Sequence, residues 1–356
     1  MPKRAILFSI LLSLVYHWGY TQHESQDTEI LGADKERFDP AKVIIEHISD
    51  SHEWYLWGDE DETVTIPLPV ILWDDGLQIF MSSEFAHGKK VVQRSENFYK
   101  IYHDKIYKTN TSGDWSVDAL GNPTNKKPLD FSMTKNVMVI LLSALLLCVI
   151  FFHMAHSYKR HRMIWQLGKI LEPLVLFVKD EVAIPNLGHK KYKYYLPLLL
   201  TIFFFILVNN LLGLLPGAPN VMGNMSVTLV LATITFLVVN FSTNKAYWKH
   251  IFWMPGIPVS VRFLLAPIEL AGIFIRPLTL CIRLFANMTA GHIVILSFIC
   301  LIFIFKSIFA AVFSIPFALF ISLLEVLVAF LQAFIFTTLS ALFIRMAVED
   351  HEYEIH

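Results

Sequence analysis

Between Leu196 and Ile344 the chain is almost continuously apolar, and only two carboxylates, Glu269 and Glu325, fall within it. Apolar runs of about 20 residues are long enough to cross a bilayer, and this stretch holds several in succession. Within it, ELAGIFIRPLTLCIRLFANMTAGHIVIL, from Glu269 to Leu296, carries Glu269, Arg276, Arg283, Asn287 and His292. A charged side chain at mid-bilayer costs roughly 2.5–3.5 kcal/mol on insertion scales, so such residues mark an ion pathway before anything else.

The whole chain has 356 residues, of which 55% are hydrophobic and 17% charged, with a formal net charge of −1. That composition predicts a polytopic membrane protein. Near-neutral charge argues against a nucleic-acid partner. The charge is uneven: of 30 Asp and Glu residues, 21 precede Met133. A polar, acidic front part therefore leads into a membrane-embedded remainder. The three cysteines, Cys148, Cys281 and Cys300, lie in apolar runs without a metal-binding spacing, and are expected to be small buried hydrophobes.

Lys3 and Arg4 precede the apolar run Ala5–Tyr16, so residues 1–21 read as a signal peptide of a bacterial protein. Residues 22–133 are then a small β-rich exported domain. Pro40 leads into an amphipathic helical turn or two, TVTIPLPVILW and LQIFMSS flank the hairpin signal Asp74-Asp75-Gly76, and NFYKIYHDKIYKT reads as a second hairpin. His47, His52, His87 and His103 are irregularly spaced and are expected at the solvated surface. The domain carries no catalytic motif.

The membrane domain occupies 134–356. Its expected fold is all-α and polytopic, with five membrane-crossing helices plus an interfacial helix. The spans begin with Thr134–Phe152, Leu196–Leu215 and Ser226–Phe241, and the charged segment Ile164–Ile184 suits a helix lying in the interface. His153, His156 and His161, beside Lys159, Arg160 and Arg162, read as an interfacial cluster rather than a metal site, and Trp248 and Trp253 as interfacial anchors. Two helices of about forty residues follow, Val259–Ile299 and Ser307–Met346, each about 60 Å long at 1.5 Å per residue. That is twice the hydrocarbon thickness, so they must be tilted, as a hairpin turning near Lys306. Eight Lys and Arg residues between Lys159 and Lys193 and three between Lys245 and Arg262 place those turns in the cytoplasm. An exported front domain and five spans independently put the C-terminus there.

In such a hairpin, residues at equal depth have index sums near 615. Arg283 pairs in depth with Gln332, and His292 with Glu325. Glu325 and Gln332 share one helix face, as do Glu269, Arg276 and Arg283. The vertical order is a titratable pair toward the outside, a permanent cation in the middle, and an acid toward the cytoplasm. Two offset aqueous routes separated by a barrier fit that order, because His and Glu exchange protons and Arg does not. Arg276 lines a channel or snorkels to the interface. Glu269 alternatively is an interfacial acid beside Arg262, and Asn209 and Asn210 join helices or line a channel.

RPLTLCIRLFANMTAGHIVIL followed by FLQAFIFTTLSALFIRMAVED resembles subunit a of the rotary proton-translocating ATP synthase. Arg283 to Met288 match the family's Arg-Leu-Phe-small-Asn-Met run, and Leu331 to Phe336 match its Leu-Gln-Ala-Phe-Ile-Phe run. The resemblance covers about 134–350 and implies a proton-conducting stator subunit of a bacterial inner membrane, not an enzyme by itself. It implies entry near His292, Glu325 and Asn287, a barrier and ring-carboxylate partner in Arg283 positioned by Gln332, and release near Glu269. The implied partners are the c-ring, the peripheral-stalk b subunits, the remaining ATP synthase complex and the bilayer; no cofactor or metal is implied. Some bacterial members carry the acid and imidazole of the His292–Glu325 pair exchanged, which keeps one of each at one depth. Among rivals, a self-contained secondary transporter would show internal repeats, and an intramembrane hydrolase a nucleophile or zinc motif; the spans carry neither.

Overall fold

Proline and glycine set the outline of the front domain. In the computed structural model, which describes residues 40–57, 64–88, 90–118, 123–159, 166–215, 217–243, 245–252 and 258–348, Pro40 opens helix α1, Pro40–Ile48, at the position where its missing N–H costs nothing. The expected leader at 1–21, His161 and Trp253 lie outside the described residues.

Strand β1, Glu53–Trp57, pairs antiparallel with β2, Val64–Pro67. The run TVTIPLPVILW is not one strand: it breaks at Leu68, and β3, Pro69–Trp73, joins a different sheet. Pro67 and Pro69 lack the donors a continuous ladder needs, and the buried Leu68 N–H donates instead to Ser82 Oγ at 3.0 Å. β3 and β4, Leu77–Met81, form the expected hairpin, with Asp75 at φ 52° and Gly76 at φ 127° in its turn. β5, Val92–Arg94, β6, Asn97–Tyr102, and β7, Lys105–Thr109, make a third sheet. Its β6–β7 turn places His103 and Asp104 both at positive φ, as a tight two-residue hairpin requires. β8, Leu129–Asp130, then pairs with the free side of β3. Val70, Leu72, Phe80, Phe85, Tyr99 and Ile106 close the core.

The histidines of this domain do not all lie at the solvated surface. His52 is only 4% exposed and pairs through Nε2 with Asp130 Oδ2 at 3.0 Å. Burial disfavours the Asp130 carboxylate, but the hydrogen bonds from His52 and Ser132 outweigh it and hold the group below its ordinary range. His87 is half exposed and faces Glu53 at 2.6 Å. Irregular spacing carries no information here, because a side-chain contact between the residue before β1 and one in β8, strands of two different sheets, brings 52 and 130 together.

The membrane part begins with α2, Lys135–Lys159. Then α3, Gln166–Phe177, runs through one π turn, Val178–Ala183, into α4, Ile184–Gly213. The segment expected as a separate interfacial helix is thus continuous with the second span except at Gly188. That residue has φ 71° and ψ 165°, a conformation only glycine adopts readily, and it lets the chain turn between the two directions. α5, Met225–Phe241, is capped by Asn224, whose side chain accepts from Ser226 N at 2.9 Å. α6, Lys245–Phe252, leads to α7, Val259–Phe305, and α8, Ile308–Val348. Lys306 turns the chain between them in the left-handed region, so the hairpin falls where expected.

Among the described residues, four helical segments are long and apolar enough to cross a membrane: Lys135–Lys159, Gly168–Gly213, Phe263–Phe305 and Ile308–Val348. α5 is apolar too, but has 17 residues, about 26 Å at 1.5 Å per residue. Helix α4 packs on α2 and α8, and α7 on α8 and α5. Phe203, Ile206, Leu280, Leu284, Met288 and Phe336 are buried together at the centre. Large apolar side chains such as Phe263, Leu319 and Leu323 point outward, the arrangement of a protein whose outer solvent is lipid. Cys148 is among the exposed residues, while Cys281 and Cys300 are buried; α2 presents that face of its apolar run outward.

Asn209 and Asn210 join helices. The Asn209 side chain accepts from Ser143 Oγ on α2 at 3.1 Å, and the Asn210 amide donates to the Ala329 carbonyl on α8 at 3.4 Å. Such interhelical bonds contribute about 0.6 kcal/mol on average in membranes. Small residues assist: Ala329, Ala333, Ser340, Ala341 and Ala347 form the buried face of α8 and let neighbouring backbones approach.

Candidate functional site

On α7 the buried stripe is Leu280, Leu284, Met288 and His292, four residues apart and so along one face. On α8, Glu325, Ala329, Gln332, Ala333 and Phe336 are buried at helical spacing. Two apolar stripes, each with ionisable or amide members, are thereby pressed into protein rather than lipid.

The depth match predicted between the two helices is visible in one contact. A Cβ added at Gly291 would lie 2.8 Å from Glu325 Oε1 and 3.0 Å from its Cδ. The Glu325 side chain therefore lies against the α7 backbone one residue before His292, in a space that any larger residue at 291 would fill. Glu325 is 4% exposed and His292 9%. Neither carboxylate oxygen of Glu325 has a hydrogen-bond partner among the described residues. A buried polar group left that way requires an explanation beyond packing.

Arg283 is partly buried near the middle of α7, and among the described residues it makes no ion pair or hydrogen bond. It shares a face with Ala286, Asn287 and Ala290, all three exposed. On the C-terminal side of the cation this face carries the small side chains of Ala286 and Ala290, and it lies away from the buried stripe. Gln332 is buried at 5% exposure on α8. No hydrogen bond joins it to Arg283 among the described residues.

Toward the α6 end of α7, Arg276 Nη2 lies 4.0 Å from Glu269 Oε2, and the guanidinium sits over Phe343 at 5.7 Å from the ring centre. A small, mostly apolar cleft opens beside it, lined by Phe236, Ile273 and Phe343 and by the polar Thr235, Asn240, Tyr247 and Arg276. Burial pushes the Tyr247 hydroxyl above its ordinary range, with Arg276 pulling the other way and Glu269 adding to the rise. Glu269 thus has Arg276, two turns away on its own helix, as partner.

The structure sets Glu325 against Gly291, next to His292 along α7, and separately brings together Glu269, Arg276 and Tyr247; Asn287 and Arg283 share the open face. Gly291 and Tyr247 are the members that sequence reasoning passed over. Gly291 could have been found from the hairpin sum, since 291 and 325 add to 616; Tyr247 carries no such signal.

Comparison with known proteins bears on both halves of the chain. The family model described as ATP synthase A chain matches residues 137–345. A second, described as a domain of unknown function (DUF8433), matches residues 43–131. The chain is similar to ATP synthase subunit a of Chloroherpeton thalassium, 46% identical over 235 residues, or 64% of this chain and 70% of the relative. It is also similar to ATP synthase subunit a 2 of Chlorobaculum tepidum, 47% identical over 240 residues covering 63% and 67%. ATP synthase subunit a of Myxococcus xanthus is 42% identical over 235 residues, covering 64% and 77%. With its apolar helices and buried ionisable groups, the chain belongs to the ATP synthase subunit a family, multi-pass membrane components with a proton-channel role in that complex.

Proposed function

We propose that the chain couples proton flow to rotation through two offset half-channels separated by Arg283. Protons enter beside Asn287, His292 and Glu325, and leave beside Glu269. Between the two, each proton rides on a carboxylate of the ring of c subunits, which crosses the lipid-facing arc neutral because a charged one would be costly there. Arg283 attracts the deprotonated ring carboxylate and, being permanently charged, stops protons passing directly from one route to the other. Gln332 positions the guanidinium. A membrane potential of 100 mV supplies about 2.3 kcal/mol per proton.

The observation that carries this reading is Glu325, buried against Gly291 beside His292 with neither oxygen bonded to a described residue. A structural carboxylate would be paired; one on a proton route must exchange partners. The open face of Arg283, Ala286, Asn287 and Ala290 supports the second half of the reading, because small side chains allow a ring helix to come close to the cation. The c-ring and the peripheral-stalk b subunits are accordingly its partners.

The same proposal includes residues 1–21 as a signal peptide, 22–133 as a periplasmic domain and 134–356 as the membrane domain. It takes α5 as a fifth span and places the C-terminus in the cytoplasm of a bacterial cell whose inner membrane holds the protein. The test is ATP-driven proton pumping in inverted membrane vesicles. Arg283→Ala is expected to abolish pumping while the catalytic head still hydrolyses ATP. Pumping at the normal rate would overturn the proposal.

A further inference from the structure

The front domain is fastened to the membrane domain at more points than attachment needs. Asp50, between α1 and β1, accepts at Oδ2 from Thr134 Oγ1 at 3.0 Å and at Oδ1 from the Asn136 N–H at 3.3 Å. The Lys135 N–H donates to the Ser51 carbonyl at 3.1 Å. These bonds, at the chain's own passage into α2, would be enough to tether the domain. Two others go elsewhere. Asp50 Oδ2 also accepts from Asn224 Nδ2 at 3.4 Å, and Trp54 Nε1 donates to the Gly217 carbonyl at 2.8 Å. Both partners belong to the connection between α4 and α5, which the front domain thus grips at its two ends.

That connection in turn reaches α7 beside the buried pair. Asn220 Nδ2 donates to the Met288 carbonyl at 3.1 Å, and Thr289 Oγ1 donates to the Gly223 carbonyl at 3.4 Å. It is a packed wedge rather than a slack loop. Asn220 Oδ1 accepts from the Gly223 N–H at 2.9 Å, and a Cβ at Gly223 would lie 2.8 Å from Asn220 Nδ2. Met288 and Thr289 are within about one turn of His292 and of Gly291, on which Glu325 rests.

We propose that the front domain is a clamp on the proton entrance, with Asp50 and Trp54 as positioning residues that act through the 217–224 wedge on α7 at the level of His292. This rests on the reading of His292 and Glu325 as the entrance. The front domain's contribution is then to conduction: it keeps the wedge, and through it the α7 backbone, at the distance from α8 that leaves Glu325 in place.

The test uses the assembled complex in inverted vesicles, stripped of the catalytic head, with passive proton conduction as the readout and the amount of complex in the membrane measured in parallel. N224D sets a second carboxylate against Asp50 while still capping α5, since aspartate caps as well as asparagine. It is expected to lower conduction roughly three- to tenfold per complex. Adding D50N to it should restore conduction, because the introduced amide donates to the introduced carboxylate. W54F, which keeps an aromatic ring but loses the indole N–H together with its five-membered ring, should lower conduction by a smaller factor, roughly twofold. Normal conduction in both N224D and W54F, or losses from N224D and D50N that simply add, would overturn the clamp. H292A serves as the reference. If it blocks conduction while the clamp variants are silent, the clamp alone falls. Rescue of N224D by D50N beside a normally conducting H292A keeps the clamp and removes the entrance assigned to His292.

Discussion

The front domain and the α7–α8 hairpin treat buried charge in opposite ways. In the front domain, Asp74 is buried and fully engaged: Lys108 Nζ lies at 3.1 Å, Lys126 Nζ at 3.7 Å, and Tyr99 donates its hydroxyl at 3.2 Å. In the hairpin, Glu325 is as deeply buried, yet its oxygens meet no hydrogen-bonding group among the described residues. A carboxylate held by several partners, Asn97 among them, holds strands together; one without them is free to exchange protons. Burial by itself does not distinguish structure from function, but the state of the partners does.

The sharpest way to break this contrast is to exchange the hairpin pair. His292→Glu or Glu325→His alone is expected to cut ATP-driven pumping by more than about tenfold, the scale of losing a proton-transfer group. The double exchange should keep much more activity than either single one. Losses that add would mean the two groups work independently.

The corresponding change in the front domain should cost stability instead of transport. Lys108→Met removes the main partner of Asp74, and should lower the stability of the fold by about 1–3 kcal/mol near neutral pH, measured by thermal unfolding in detergent. Burial works against the Asp74 carboxylate, but Lys108, Tyr99 and Lys126 together hold it below its ordinary range. A depressed carboxylate stabilises above its unfolded value, about 3.9, and that stability is lost as pH falls through the folded value. The gap between wild type and variant should therefore close as pH falls through the folded value, and a gap that persists in acid would assign the effect to packing.

Smaller effects bracket these two. Asn210→Leu breaks the α4–α8 bond and should lower resistance to unfolding by about 0.6 kcal/mol, with pumping by the intact complex unchanged. Arg94→Ala removes a partly exposed pair with Glu84 and a contact over the Phe80 ring. It should cost no more than about 1 kcal/mol, less at high salt. A large loss of pumping from either would mean that paired groups also serve transport.

Much of the architecture was legible from local pattern. Asp74-Asp75-Gly76 marked its hairpin because turn chemistry is local, and the apolar runs marked the helices because period and length are local. The depth of Glu325, one residue from the His292 level that was expected, followed from arithmetic, since a hairpin of straight helices relates index to depth. Other features had no such signal. His52 was expected in solvent and is buried on Asp130, because packing between two sheets joins side chains 78 positions apart in sequence. TVTIPLPVILW looked like one strand, and its two prolines divide it between sheets.

What the sequence determined alone is the membrane helices, the α7–α8 register, and the ionisable residues placed along it. These depend on helical rise and on the cost of charge in lipid, which act on each segment separately. What tertiary structure decided is which polar groups are paired across elements: Asn210 with Ala329, and Asp50 with Asn224 across 174 positions. Partner choice depends on how separate elements pack, and no spacing rule along the chain encodes it.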